Sequence, residues 1–147
     1  MSSTGSPRSW AEPVSATRVL VLADDLIWQT RLVAQLQAAG ATVDRAKTAR
    51  ELDRDLACAD AVLVDLTASN YDPIAAIERA ASAGRRVLAV GQHDDAAYRK
   101  RALAAGAERV YAYRKLFEDG PATLAAWLES GALAPHKAKG VEEPVRP

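Results

Sequence analysis

The strongest constraint on the fold is an alternation, repeated five times, of a short apolar run with a segment of helical character. A strand followed by a helix, repeated in this way, requires right-handed crossovers and produces a parallel sheet covered by helices on both faces. The apolar runs span residues 18–23, 41–45, 60–65, 86–90 and 108–113. We therefore predict an α/β fold with a doubly wound, five-stranded parallel sheet.

Capping signals delimit the helices between these runs. Thr48 and Glu51 have the spacing of a capping box, and Asp72 precedes a proline that suits the first helical position. Asp94 or Asp95 can cap the fourth helix. The predicted helices span residues 26–39, 49–59, 73–83, 96–105 and 121–130. Glycines that end four of them are Gly40, Gly84, Gly106 and Gly131.

The first helix carries apolar residues at helical spacing. These residues are Ile27, Trp28, Leu32, Val33 and Leu36. Such a stripe predicts the face that packs on the sheet. Trp28 and the distant Trp127 are both expected in the core, because each has apolar neighbours at helical spacing.

Acidic residues follow two of the predicted strands. The run of residues 60–65 is typical of a strand buried on both faces and ends in Asp65, while Asp24 and Asp25 follow the first strand. Ligands of open α/β sheets bind in the crevice outside the carboxyl ends of the strands. These three carboxylates are therefore the candidate site, although Asp24 or Asp25 could instead cap the first helix.

Composition excludes several classes of protein. Nineteen basic residues balance nineteen acidic ones, so no global field favours nucleic acid or an anionic membrane. The only cysteine, Cys58, cannot form an internal disulfide, which favours the cytoplasm over a secreted scaffold. No membrane span, glycine-rich phosphate loop or paired nucleophile and histidine base is present, so we predict a protein that is not an enzyme. We expect a flexible arm over residues 1–17, one domain over 18–130 and a flexible tail over 131–147.

The ends of the strands resemble those of the receiver domains of bacterial two-component response regulators. The resemblance covers residues 18–130 and depends on five elements in the expected order. These are the apolar run Val19 to Leu22, the acids Asp24 and Asp25 that follow it, Asp65, the segment Ala104-Ala105-Gly106-Ala107, and Lys115-Leu116-Phe117-Glu118. It implies a flavodoxin-like (βα)5 fold with the strand order 2-1-3-4-5.

The resemblance also implies a site and its partners. Asp65 would be the phosphoacceptor, with Mg2+ held by Asp24, Asp25 and Asp65 to neutralise the charge of the phosphoryl group. The partner would be a histidine kinase or another signalling protein. A homodimer would form through the fourth helix, fifth strand and fifth helix. Neither a nucleic acid nor a membrane is implied as a partner.

The sequence departs from the family at three positions. If the first strand ends after four apolar residues, Ala23 replaces one acid of the metal pair. If that strand is one residue longer, Asp24 and Asp25 form the pair. Gly91 stands where the family has a hydroxyl residue, and the family lysine falls on Tyr113 or on Lys115 according to the direction of counting. On a strand, these last two side chains share one face, about 6.6 Å apart.

Two functional hypotheses follow from these residues. The first is a stand-alone receiver domain that is phosphorylated at Asp65. The second is a pseudo-receiver that acts as an interaction or dimerisation module without phosphorylation, as Ala23, Gly91 and the uncertain lysine suggest. Residues 85–115 contain eight basic and three acidic residues, so the predicted output surface is expected to attract an acidic partner.

Overall fold

The computed structural model describes residues 17–92 and 95–133, without the side chains of residues 131–133. The strands are β1 (Arg18–Leu22), β2 (Thr42–Ala46), β3 (Ala61–Asp65), β4 (Arg86–Gly91) and β5 (Arg109–Ala112). The helices are α1 (Leu26–Ala38), α2 (Ala49–Asp55), α3 (Pro73–Ser82), α4 (Ala96–Ala105) and α5 (Tyr113–Leu133). The predicted flexible arm, except Thr17, and the tail beyond residue 133 lie outside the described residues.

The five strands form one parallel sheet in the order β2-β1-β3-β4-β5. The predicted doubly wound fold and its strand order are therefore confirmed. Because β1 pairs with β3, with Leu22 beside Val64, the segments that leave both strands start at the same edge of the sheet. Asp65 pairs in register with Val90 of β4, which brings the end of that strand to the same edge.

Alternate residues of the strands supply two separate apolar layers. One face packs against α1 and α5, where Leu36, Leu124 and Trp127 are buried. The other face packs against α2, α3 and α4, where Leu52 and Ile77 are buried. Covering both faces explains why the central strands read as continuous apolar runs rather than as alternating ones.

The buried face of α1 differs from the predicted stripe. Its buried residues are Gln29, Leu32, Val33 and Leu36. Ile27 is 73% exposed and Trp28 is half-buried, so the assignment of Trp28 to the core is wrong, whereas Trp127 is buried as predicted. Gln29 can be buried because its Nε2 atom donates to the carbonyl oxygens of Ala23 (3.0 Å) and Ala46 (2.9 Å), which ties the ends of β1 and β2 together.

The capping signals acted largely as predicted. The Thr48 hydroxyl accepts a hydrogen bond from the backbone of Glu51, while the Glu51 carboxylate accepts from the backbone of Lys47 rather than from Thr48. Asp72 and Asp95 accept from the first turns of α3 and α4, respectively. The second helix is shorter than predicted, because a 3-10 turn over Leu56–Cys58 replaces its last turn.

The last strand and helix are where the prediction fails most. The strand stops at Ala112, and Tyr113 already begins α5, which extends past the predicted stop at Gly131 to Leu133. This helix bends at Asp119, whose φ and ψ of −153° and 39° are not helical, just before Pro121, which lacks a backbone N–H. The side chain of Gln35 donates to the Leu116 carbonyl (2.9 Å), so α1 supplies a hydrogen-bond donor near the bend.

We predict that Gly106→Ala destabilises the fold more than Gly84→Ala. Both glycines have positive φ, 127° and 80°, so alanine is strained at either position, by about 1–2 kcal/mol. A Cβ atom at Gly106 would also lie 2.6 Å from the Cβ of Ala81, whereas one at Gly84 would meet no atom within 4 Å. Chemical denaturation should show an additional loss of about 1–3 kcal/mol for Gly106→Ala. Equal losses would contradict this packing of α4 on α3.

Candidate functional site

Asp65 lies at the carboxyl end of the central strand β3, as predicted, but it is not accessible. The residue is only 1% exposed. Its Oδ1 atom accepts hydrogen bonds from the backbone N–H of Thr67 (2.9 Å) and from the Thr67 hydroxyl (2.9 Å). Its Oδ2 atom is buried and has no hydrogen-bond partner among the described residues. A carboxylate held in this way is poorly placed to attack a bulky ligand.

The cover over Asp65 is Tyr113, the first residue of α5. Its hydroxyl donates a hydrogen bond to Asp65 Oδ1 and lies 2.8 Å from the Thr67 hydroxyl. The pKa of Tyr113 is raised, mainly by burial and further by the hydrogen bond to Asp65. The phenol therefore stays protonated and remains a donor. A neutral phenol thus occupies the place where the resemblance implied a lysine.

An aromatic stack holds Tyr113 in place. The Trp28 ring of α1 lies 4.3 Å from the Tyr113 ring and 5.0 Å from the Phe117 ring, measured between centroids. The guanidinium of Arg31 lies 5.0 Å from the centroid of the Phe117 ring. Tilted aromatic pairs and cations over rings are both favourable. Trp28 therefore braces the cover over Asp65 instead of filling the core.

The surroundings of Asp65 favour its protonated form. Burial raises the pKa of its carboxyl group, and the nearby negative charge of Asp24 adds to this effect. The hydrogen bonds from Tyr113 and Thr67 lower the pKa but only partly offset the burial. The unpartnered Oδ2 atom accounts for this balance physically, since an ionised oxygen without a donor or a cation is costly to bury.

The two acids after β1 have different tasks. Asp25 is the N-cap of α1, and its Oδ1 atom accepts from the backbone of Trp28 (2.9 Å). The Asp24 Oδ2 atom accepts from the backbone N–H groups of Ser69 and Asn70 (2.8 Å each), in the loop after β3. The strand ends at Leu22 and Ala23 is fully buried, so the longer first strand that would have paired Asp24 with Asp25 is wrong.

The three predicted Mg2+ ligands do not form one cluster in the described structure. Asp24, Asp25 and Asp65 each use one carboxylate oxygen in a hydrogen bond to the protein. Within residues 17–92 and 95–133, no group of three or more acidic, histidine or cysteine side chains is arranged to hold a metal. Magnesium prefers six oxygens in an octahedral arrangement, usually one or two from carboxylates and several from water. Asp24 holds the loop after β3, and Asp25 caps the start of α1.

Gly91 ends β4 at the position where the family has a hydroxyl residue. A Cβ atom there would lie 3.1 Å from Cδ1 and 3.2 Å from Cβ of Leu66, tighter than ordinary van der Waals contact. The buried Leu66 side chain, which follows Asp65 in sequence, therefore fills the space that a serine or threonine would need. The sequence signal for this packing is Leu66 itself, because an apolar residue directly after Asp65 is expected to be buried.

Lys115 does not reach Asp65. The prediction that Tyr113 and Lys115 share one face of a strand is wrong, because both belong to α5. Two residues apart on a helix, side chains point about 200° apart. Tyr113 consequently faces Asp65, whereas Lys115 lines a groove with Arg99 and Arg109 beside β5.

The basic segment is also distributed differently from the prediction. Arg85 and Arg86 lie at the opposite end of the sheet from Asp65, at the start of β4. Arg85 donates to the carbonyl of Leu56, and Arg86 pairs with Glu108 (2.8 Å). The basic surface is therefore narrower than predicted. Its groove is lined by the basic residues Arg99, Arg109 and Lys115.

Sequence reasoning missed Tyr71, which joins the two strands that form the site. The buried Tyr71 hydroxyl lies within hydrogen-bond distance of the carbonyl oxygens of Leu22 (2.9 Å) and Asp65 (2.8 Å). Tyr71 lies in a polar loop and belongs to no hydrophobic periodicity, so its burial could not be predicted from a pattern. Its position directly before the Asp72 cap was the one indication. Thr67 was missed for the same reason.

We predict that Asp65→Asn changes the pH dependence of stability. Because the folded pKa of Asp65 lies above its unfolded value, its contribution to stability is complete below the unfolded pKa, near pH 4, and is lost as pH rises through the folded pKa. Denaturation at several pH values should therefore show the stability of Asp65→Asn rising relative to wild type from pH 4 towards neutrality. A constant or falling difference would contradict the buried environment of Asp65.

We predict that Tyr113→Phe destabilises the protein by about 1.5–3 kcal/mol at neutral pH, because a buried carboxylate loses a donor. The loss should shrink at pH values where Asp65 is protonated. The matched control is Tyr111→Phe, since the half-buried Tyr111 hydroxyl bonds to no described residue, and its effect should stay within about 0.5 kcal/mol. Equal losses in the two variants would contradict the assignment of Tyr113 as the cover.

No helix within the described ranges is both long enough and apolar enough to cross a membrane. No protein-family model matches the sequence, and no curated protein matches it either. The fold, in contrast, is widely shared among solved receiver domains.

Three solved structures illustrate the similarity. The signal receiver domain of a DNA-binding response regulator from Colwellia psychrerythraea 34H is 21% identical, with a TM-score of 0.66 over 77% of this chain and 98% of that one. A CheY-like receiver domain from Methanospirillum hungatei JF-1 is 22% identical, with a TM-score of 0.63 over 80% and 99%. The BeF3-activated DrrB receiver domain is 16% identical, with a TM-score of 0.68 over 81% and 99%. The chain therefore has the fold of response regulator receiver domains.

Proposed function

We propose that this chain is a receiver-type module of two-component signal transduction that acts through constitutive protein contacts and not through phosphorylation of Asp65. The observation that carries the proposal is the hydrogen bond from Tyr113 to Asp65, which closes the carboxylate beneath a braced aromatic ring. On this proposal the protein is a cytoplasmic binding module and not an enzyme.

The chemistry of phosphoryl transfer supports this proposal. An aspartate that attacks a phosphoryl group must be ionised, accessible and close to positive charge. Here the pKa of Asp65 is raised by burial, and Lys115 lies on another surface. Among the described residues, Asp24, Asp25 and Asp65 do not form a three-carboxylate cluster. The described site therefore offers an incoming phosphate little positive charge.

A second candidate function is phosphorylation of Asp65 after Tyr113 has moved away. It is favoured by the position of Asp65 at the carboxyl end of the central strand and by its unpartnered Oδ2 atom. This route requires the loss of the Tyr113 hydrogen bond and of its contact with Trp28 before any reaction. We rank it second for that reason.

The groove beside β5 is the surface that we propose for an acidic signalling partner, such as a histidine kinase or another regulatory protein. Arg99, Arg109 and Lys115 line it, and its acid Glu108 already pairs with Arg86. Two copies meeting through this groove would bring like charges together, which is unfavourable. We therefore do not assign the homodimer implied by the family resemblance to this face.

Phosphorylation can be tested directly on the full chain. We expect wild-type protein incubated with a small phosphodonor and Mg2+ to gain no phosphoryl group by intact mass spectrometry, like its Asp65→Asn variant. A Tyr113→Ala variant measures whether the ring itself is the barrier. A phosphoryl group found on the wild type and absent from Asp65→Asn would overturn the proposal in favour of the second candidate.

A further inference from the structure

An exposed apolar patch lies where α1 and α5 meet. It consists of Ile27, Trp28 and Phe117, flanked by Asp25 and Arg31, and these five residues line one shallow groove. Ile27 is 73% exposed and Phe117 is 54% exposed. We call these residues the α1–α5 patch. Large apolar side chains exposed together are typical of a surface that binds another protein.

The aromatic side chains of the patch already contact neighbouring side chains within the monomer. Its two rings contact each other, with Trp28 also against Tyr113, and the Arg31 guanidinium lies over Phe117. Aromatic residues and arginine are enriched among the side chains that contribute most to binding at protein interfaces. Little side-chain freedom would be lost on association, which favours affinity.

The charges of the patch favour a second copy of this chain as its occupant. A two-fold interface is formed by the same surface on both subunits, so it must be complementary to itself. Asp25 and Arg31 provide opposite charges in one groove, and neither forms an ion pair with another described residue. The chain has a formal net charge of zero, so two copies do not repel each other at long range.

We propose that two copies of the chain associate through the α1–α5 patch, with Ile27 and Phe117 at the apolar centre and Arg31 facing Asp25 of the partner subunit. This inference rests on the proposed function and deepens it by naming one constitutive contact. It also gives Tyr113 a second role, because the ring that covers Asp65 supports Trp28 within the patch.

Sedimentation velocity of the full chain over a range of concentrations tests the proposal. We expect a monomer–dimer equilibrium whose dissociation constant rises by about 30-fold or more in Ile27→Asp. This variant should fold, because its site is exposed and an acid suits the first turn of a helix. The matched control is Leu103→Asp on α4, which is 43% exposed and outside the patch, and it should dimerise like wild type.

A second pair of variants tests the charges. Asp25→Ser keeps a side chain able to cap α1 and removes the charge, and Arg31→Gln removes the opposite one. Both should weaken the dimer, more so at low salt. A wild type that stays monomeric at submillimolar concentration, or a dimer that Leu103→Asp weakens as much as Ile27→Asp does, would overturn the proposal. Neither result depends on phosphorylation of Asp65, so failure here is distinguishable from failure of the proposed function.

Discussion

The hydrogen bond between Tyr113 and Asp65 is the interaction on which the site depends. It joins the end of the central strand to the first residue of the last helix, and the other carboxylate oxygen is buried without a partner in the described part of the chain. A carboxylate closed in this way has a raised pKa and little room for a ligand. The fold is that of a receiver domain, and its central acid accepts hydrogen bonds from Tyr113 and Thr67.

The residues around Asp65 also make contacts within the protein. Asp24 fastens the loop after β3, Asp25 caps α1, and Leu66 fills the space beside Gly91. Each of these contacts stabilises the crevice in one closed arrangement. A contiguous path of contacts also leads outward from Asp65 through Tyr113 and Trp28 to the α1–α5 patch.

Much of the fold could be predicted from the sequence because its signals are local and repeated. Apolar runs defined the strands, and Thr48 and Asp72 defined helix starts, all of which need only a few neighbouring residues. The end of β5 could not be located in this way. Tyr111 and Tyr113 favour a strand, yet Tyr113 begins α5, where it contacts Asp65 and Trp28, which are distant in sequence.

The sequence predicted the position of the candidate site in the fold, but not the contacts that Asp65 makes there. Asp65 was found because a strand end is visible in the sequence. The sequence could not decide whether Tyr113 or Lys115 lies beside Asp65, because a strand puts both side chains on one face and a helix separates them. Gln29 stood in an apolar helical stripe with Leu32 and Val33, and that polar exception was the missed signal of a buried hydrogen-bonding role.

The most direct test of the closed site is a carbon-13 NMR titration of the Asp65 carboxyl group in the full chain. The closed site predicts a pKa above the ordinary value for aspartate, raised further in Tyr113→Phe, and no response of the signal to Mg2+. A saturable change of the Asp65 signal on adding Mg2+, or a pKa that Tyr113→Phe leaves unaltered, would contradict it.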